Sequence, residues 1–196
     1  MTNSHLNSFL RLLMVALLAT HRTVTSSSSS GDDITGTCRV CARATPSLSY
    51  KFCVSSLRSV PASRHVDLRG LALISIELAI VNASETISTV EGMINQGSYD
   101  QDPVAMSCLK ECLGGYEDAT DALLRGVGDF TAGKYTLVGE SVSGVMDMCK
   151  KCEGGFEKGG KICPLKEENY DLFQLCNIAL CIIVGNLSSV PGESVV

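Results

Sequence analysis

The chain has no tryptophan, three histidines and five prolines in 196 residues, and aromatic residues make up only 5% of it. Without tryptophan, a large aromatic platform for stacking ligands is excluded. The lysines and arginines nowhere form a cluster, so the electrostatic footprint of a nucleic-acid binder is missing. The apolar run Leu12–Ala19 is far shorter than the ~20 residues a membrane span needs, and no second span is expected. The ending SSVPGESVV lacks the hydrophobic tail of a lipid-anchor signal. No glycine-rich phosphate loop is present. No serine sits in a strand-turn-helix elbow, so a nucleophilic triad has no starting point.

What is present begins with an N-terminus built like a secretory signal: polar residues with one Arg, the short apolar run, then a Ser/Thr-rich stretch to Ser30. We expect residues 1–25 to be this signal, 26–36 a flexible lead, 37–188 one helical domain and 189–196 a tail. Removing the signal takes away Arg11 and Arg22 and no acid, which moves the formal charge from −5 to about −7. The remaining length suits a single domain able to bury a core.

Ten cysteines dominate the composition: Cys38, Cys41, Cys53, Cys108, Cys112, Cys149, Cys152, Cys163, Cys176 and Cys181. An even number behind a secretory signal reads as disulfides. Asn82 and Asn186 each open an Asn-x-Ser sequon, which fits a secreted glycoprotein, although Asn82 falls inside a predicted helix.

Residues 37–66 are irregular, broken by Pro46 and Pro61, with two or three small helical pieces. Four long helical patterns follow over 67–188. The first starts at Asp67, whose carboxylate can accept from first-turn amides, and ends at Gly97. Leu71, Ile74, Leu78 and Val81 line one face of it, and Ile87, Val90 and Ile94 continue after a slip. The second opens on Asp102-Pro103, a cap followed by proline at the first helical position. Its apolar positions Ala105, Leu109, Cys112, Tyr116, Ala119, Leu123 and Val127 recur at steps of three and four. The third carries Tyr135, Val138, Val142, Val145, Cys149, Cys152 and Phe156; the fourth carries Phe173, Cys176, Leu180, Ile183 and Leu187. Such seams joined by short loops predict an all-α, up-down-up-down four-helix bundle behind a short N-terminal helical hairpin.

Register then limits the cysteines. If the turn between the second and third helices is centred near residue 132, Cys112 and Cys152 lie at one level and can bond across the hairpin. Cys38 and Cys53 flank the irregular segment, where a bridge would tie a piece too small to hold itself. A turn near residue 162 brings Cys149 level with Cys176, and Cys108 lies where the loop carrying Cys163 passes. Cys41 and Cys181 are left over. Cys38-x-x-Cys41 and Cys149-x-x-Cys152 each resemble half a zinc site, but an oxidising compartment favours disulfides over metal.

Other catalytic arrangements are equally thin. His65 stands near Arg64 and Asp67 in a loop and reads as a solvent-facing side chain. Glu117-Asp118 and Glu167-Glu168 read as solvated helix faces. The expectation is a protein that is not an enzyme, needs no cofactor or metal, and acts by binding another protein.

Five local patterns, in order, carry a resemblance. They are Thr37-Cys38; Tyr50-Lys51-Phe52-Cys53-x-x-x-Leu57; Asp67-Leu68-x-Gly70-Leu71-Ala72; Glu111-Cys112-x-x-x-Tyr116-x-x-Ala119; and Cys152-Glu153-x-x-Phe156. The set resembles the plant invertase and pectin methylesterase inhibitor family, in particular its pollen-allergen-type invertase inhibitors, over roughly residues 37–188. The resemblance implies the N-terminal hairpin, the bundle, and the bridges Cys38–Cys53 and Cys112–Cys152. Six further cysteines depart from the family pattern. It also implies a secreted protein of the apoplast and cell wall, or of the vacuole, acting on acid invertase or, as the alternative, on pectin methylesterase. A non-inhibitory ligand-binding or allergen-type bundle is the third possibility.

Cell-wall invertase inhibitors of this family carry a Pro-Lys-Phe element between the second and third bundle helices. The matching stretch here is Gly133-Lys134-Tyr135, with Gly in place of Pro. On this reading Lys134 reaches the paired carboxylates of a retaining glycosidase, and Tyr135 occupies a sugar-stacking surface. The plainer reading makes Lys134 a turn cation and Tyr135 a seam residue.

Overall fold

A computed structural model describes residues 30–187. The expected signal 1–25 and tail 189–196 lie outside the described residues. Among the described residues there are six α-helices: α1 (Ser30–Ala44), α2 (Tyr50–Ser59), α3 (Leu68–Asn95), α4 (Pro103–Thr131), α5 (Tyr135–Lys158) and α6 (Lys166–Ile182). A 3-10 turn (Pro61–Arg64) precedes α3, and a π-helical turn (Ile183–Leu187) closes α6. The all-α bundle with its N-terminal hairpin is thus as expected.

Capping chemistry starts three of the helices. The Ser49 hydroxyl accepts from Phe52 N at 3.3 Å, Asp67 Oδ1 accepts from Gly70 N at 2.9 Å, and Asp102 Oδ1 accepts from Ala105 N at 3.1 Å ahead of Pro103. Each such cap contributes about 1 kcal/mol by answering amides that the helix leaves unpaired. The helices close a ring in which α3 packs on α4 and α6, and α5 packs on the same two.

The seams of α4 and α5 are those the spacing indicates, with Ala105 to Leu123 and Tyr135 to Phe156 buried at the expected steps. In α3 the seam differs. Val81 is 51% exposed and Leu78 only partly buried, while Ala72, Ile76, Ala79, Ala83, Thr86 and Val90 are buried. Leu71, Ile74 and Val90 of the expected face are buried, and between them the seam shifts to Ala72, Ile76, Ala79, Ala83 and Thr86. Thr86 of this seam lies beside the phenol of Tyr116, a fully buried ring on α4. The Tyr116 hydroxyl donates to Asn169 Oδ1 at 2.8 Å, which answers both buried polar groups. By length and composition alone α3 is long and apolar enough to cross a membrane. Its buried seam makes it a core helix instead.

Residues 30–36 were expected to be flexible, yet they form the first half of α1. Ile34, Thr37, Cys38 and Cys41 are buried at helical steps, so Ile34 begins an apolar stripe that extends the hairpin backwards. The hairpin docks on α6. Gln174 Oε1 accepts from Ser49 N and Gln174 Nε2 donates to Ser47 O, both at 2.7 Å, and Asn177 Nδ2 donates to Ser47 Oγ at 3.0 Å.

Three disulfides are present among the described residues: Cys38–Cys53, Cys112–Cys152 and Cys41–Cys181. The last joins the two cysteines the register had left over. Cys108, Cys149, Cys163 and Cys176 are thiols, so the pairs Cys149–Cys176 and Cys108–Cys163 are not bonded here. The members of each pair are nonetheless neighbours: beyond the larger effect of burial, Cys149 raises the Cys176 thiol and Cys108 raises the Cys163 thiol. Cys149 and Cys176 are instead packed as apolar core residues, and burial pushes the Cys149 thiol up to about 12.

Candidate functional site

The connection between α4 and α5 is set by backbone chemistry. Gly133 adopts φ +76°, a left-handed conformation that costs a side-chain-bearing residue ~1–2 kcal/mol. Gly133 N donates to Phe130 O at 3.0 Å and Lys134 N donates to Asp129 O at 2.9 Å. This is the Schellman arrangement that satisfies the last carbonyls of a helix. Gly133 is therefore the left-handed residue that follows the C-cap Ala132 and closes α4, and α5 starts two residues later.

Lys134 occupies the N-cap position of α5, without a side-chain cap bond, and its side chain is 59% exposed. Its Nζ lies 3.4 Å from Asp129 Oδ1. Tyr135 is 9% exposed. Its ring meets Phe130 edge-on at 5.4 Å between centroids, and the Arg69 guanidinium lies 5.5 Å over its face. The expected outward sugar-stacking role for Tyr135 is thus corrected: the ring is a seam residue, shut in by Phe130 below and Arg69 above. Arg69, in the first turn of α3, brings a second cation to this end of the bundle. Spacing gave no sign of it, because only the antiparallel packing brings the start of α3 to the start of α5.

Beside this end runs a groove of about 760 Å³ on the outer face between α4 and α5. Its floor is small (Gly114, Gly115, Ala122) and its walls carry Arg125, Glu140 and Lys151. At Gly115 a Cβ would come within 2.9 Å of Met148 Cγ, so a side chain there would have to displace Met148. The Cys112–Cys152 bridge, with Cα atoms 5.1 Å apart, holds the two helices at that distance.

Among the described residues there is no group of three or more His, Cys, Asp or Glu placed to hold a metal ion. His65 is exposed and follows the 3-10 turn, Glu117 and Asp118 are exposed on α4, and Glu167 and Glu168 stand in the first turn of α6. Asn82 falls in the middle of α3, half-buried, with Oδ1 buried and unpaired, rather than in the exposed loop a glycan acceptor ordinarily occupies. Asn186 sits in the closing turn; its side chain lies outside the described set.

What this geometry offers is an exposed cation on a turn tied back to the end of α4 by two backbone hydrogen bonds. Residues 32–182 match the model of the plant invertase/pectin methylesterase inhibitor family. The chain belongs to that family. A protein of Platanus acerifolia named "Putative invertase inhibitor" is 38% identical over 154 residues, covering 78% of this chain and 84% of the relative. A pectinesterase inhibitor of Actinidia deliciosa is 31% identical over 142 residues, covering 72% of this chain and 73% of that one. The crystal structure of a mutant form of an Arabidopsis pectin methylesterase inhibitor superposes with TM-score 0.62 at 22% identity, covering 74% of this chain and 97% of its own. That likeness concerns the fold. Family membership makes the chain a proteinaceous inhibitor of an invertase or a pectin methylesterase and not an enzyme.

Proposed function

We propose that this member of the inhibitor family acts on an acid invertase, and that the turn Gly133-Lys134-Tyr135 is the element that enters the enzyme's cleft. The observation that carries the reading is the exposed Lys134 at a capped turn between two long helices, with Arg69 beside it. A retaining glycosidase holds two carboxylates about 5 Å apart. A cation delivered between them on a preformed turn meets both at little ordering cost. Tyr135 supports this turn from below and does not itself make the contact.

Cell wall or vacuole is the location that fits. Three disulfides need an oxidising compartment to form and persist. Pectin methylesterase is the second target, favoured by the Actinidia relative's name. The mixed-charge groove between α4 and α5 would serve a broader contact of that kind. The deciding experiment titrates the purified mature protein, and Lys134→Ala beside it, against both enzymes. Inhibition of invertase that Lys134→Ala weakens supports the proposal. Inhibition indifferent to Lys134 removes the turn from the mechanism, and no inhibition of either enzyme at tenfold excess removes the reading altogether.

A further inference from the structure

Four sulfurs collect at the end of the bundle opposite Lys134. Cys112 and Cys152 form the α4–α5 disulfide, and Cys108 and Cys163 are thiols. One side chain touches both the bond and a thiol. Asn169 Nδ2 lies 3.5 Å from Cys152 Sγ and 3.7 Å from Cys163 Sγ. The two sulfurs are therefore no farther apart than those distances summed, with a single amide group between them.

The loop carrying Cys163 is held in place over the start of α4. Lys161 pairs with Asp102, and Gly159 packs so tightly on Val104 that a Cβ there would come within 2.7 Å of Val104 Cγ1. The disulfide itself is not sealed: a cavity of about 210 Å³ opens on Cys112 and Cys152 between Gly115 and Gly155.

We propose that the Cys112–Cys152 bridge is an exchangeable disulfide, with Cys163 as its resident nucleophile. The Cys163 thiolate attacks Cys152 Sγ, and a Cys152–Cys163 bond forms. The Cys112–Cys152 bond breaks and its electron pair leaves on Cys112, which takes up the proton that Cys163 lost. Nothing is oxidised or reduced overall, so no external oxidant is needed. The exchange moves the staple off the α4–α5 pair, the hairpin that carries Lys134, and into a short ring between α5 and the following loop.

The resting state is protected by its surroundings. Burial raises the Cys163 thiol, Glu153 from α5 and Glu168 from α6 raise it further, and Cys108 from α4 adds to this; only the Leu165 amide opposes them. Thiolate, the attacking form, is therefore scarce near neutrality.

The test uses the full chain folded with its disulfides intact. Samples are held without reductant at pH 7 to 9, quenched in acid, alkylated with N-ethylmaleimide and mapped under non-reducing conditions. The expected product is a Cys152–Cys163 peptide accompanied by alkylated Cys112. Its early rate should rise about tenfold per pH unit below the thiol's pKa, because only thiolate attacks. Cys163→Ser should abolish it while keeping Cys112–Cys152 and the helical circular dichroism; Cys108→Ser should leave it intact. A map showing Cys112–Cys152 alone at every pH overturns the proposal. So does a Cys108–Cys163 product, which would mean oxidation of two thiols, or loss of the Cys112–Cys152 bridge in Cys163→Ser.

Discussion

Lys134 Nζ sits 3.4 Å from Asp129 Oδ1, so in the free protein the cation of the turn is already paired with the helix that precedes it. The pair is exposed on the lysine side and is worth ~0.2–1 kcal/mol. It points Lys134 without locking it, and a carboxylate-rich cleft can take the cation over. Lys134→Ala should weaken invertase inhibition by ~2–5 kcal/mol if a buried contact with carboxylate forms, mainly through faster dissociation. Asp129→Asn should act in the opposite direction, tightening inhibition by up to about fivefold as the competing pair is lost. Inhibition constants and dissociation rates of the two variants check both signs.

Replacing Gly133 by proline would restore the family's Pro-Lys element, and from sequence alone a stiffer turn would be expected to tighten inhibition. The structure reverses that expectation. Proline is confined to φ near −65°, whereas Gly133 has φ +76° and its amide donates to Phe130 O. Gly133→Pro should lower the melting temperature and weaken inhibition. Gly133→Ala should cost ~1–2 kcal/mol through backbone strain alone, since open space surrounds the position. Thermal melts of both variants give the answer.

Tyr135→Ala should destabilise the protein by ~3–5 kcal/mol, the usual cost of removing a buried aromatic ring. Tyr135→Phe should keep both the fold and the inhibition, because the ring works by packing on Phe130 and under Arg69. Circular dichroism and an invertase assay run together separate the two variants. Loss of inhibition in folded Tyr135→Phe would show that the hydroxyl touches the target after all.

The Cys41–Cys181 bridge ties residues 140 apart in sequence. Replacing both by serine should cost ~2–5 kcal/mol, chiefly through the freer unfolded chain. The hairpin should nevertheless stay docked, because Gln174 and Asn177 still hold Ser47 and Ser49. Chemical denaturation measures the loss, and amide exchange at Ser49 reports on docking.

The Lys161 ammonium, first, and the Ala105 amide hold the Asp102 carboxyl below its ordinary range. A carboxylate depressed in the folded state contributes stability above its unfolded value and loses it as pH falls through the folded one. The difference in melting temperature between the native chain and Asp102→Asn should therefore be largest near neutrality. It should vanish under acid conditions where Asp102 is protonated in both states. A difference that grows on acidification would reverse the assignment.

The four bundle helices, their caps at Asp67 and Asp102, and the level shared by Cys112 and Cys152 are all readable along the chain, because each depends on local periodicity or on one short turn. The family resemblance added Cys38–Cys53 on the same kind of local pattern. Other features needed the packed bundle. The real seam of α3 keeps Leu71, Ile74 and Val90 but runs through Ala72, Ile76, Ala79 and Ala83 in place of Leu78 and Val81. Cys41 meets Cys181 because α1 lies along the end of α6, and no spacing rule joins positions so far apart. Tyr135 is turned inward by Phe130 and covered by Arg69, which reaches it only through antiparallel packing. Gly133 resembles a softened proline until its φ identifies it as a helix cap. Periodicity reports how far along a helix a residue stands; which way it faces, and what meets it there, are decided when four helices share one core.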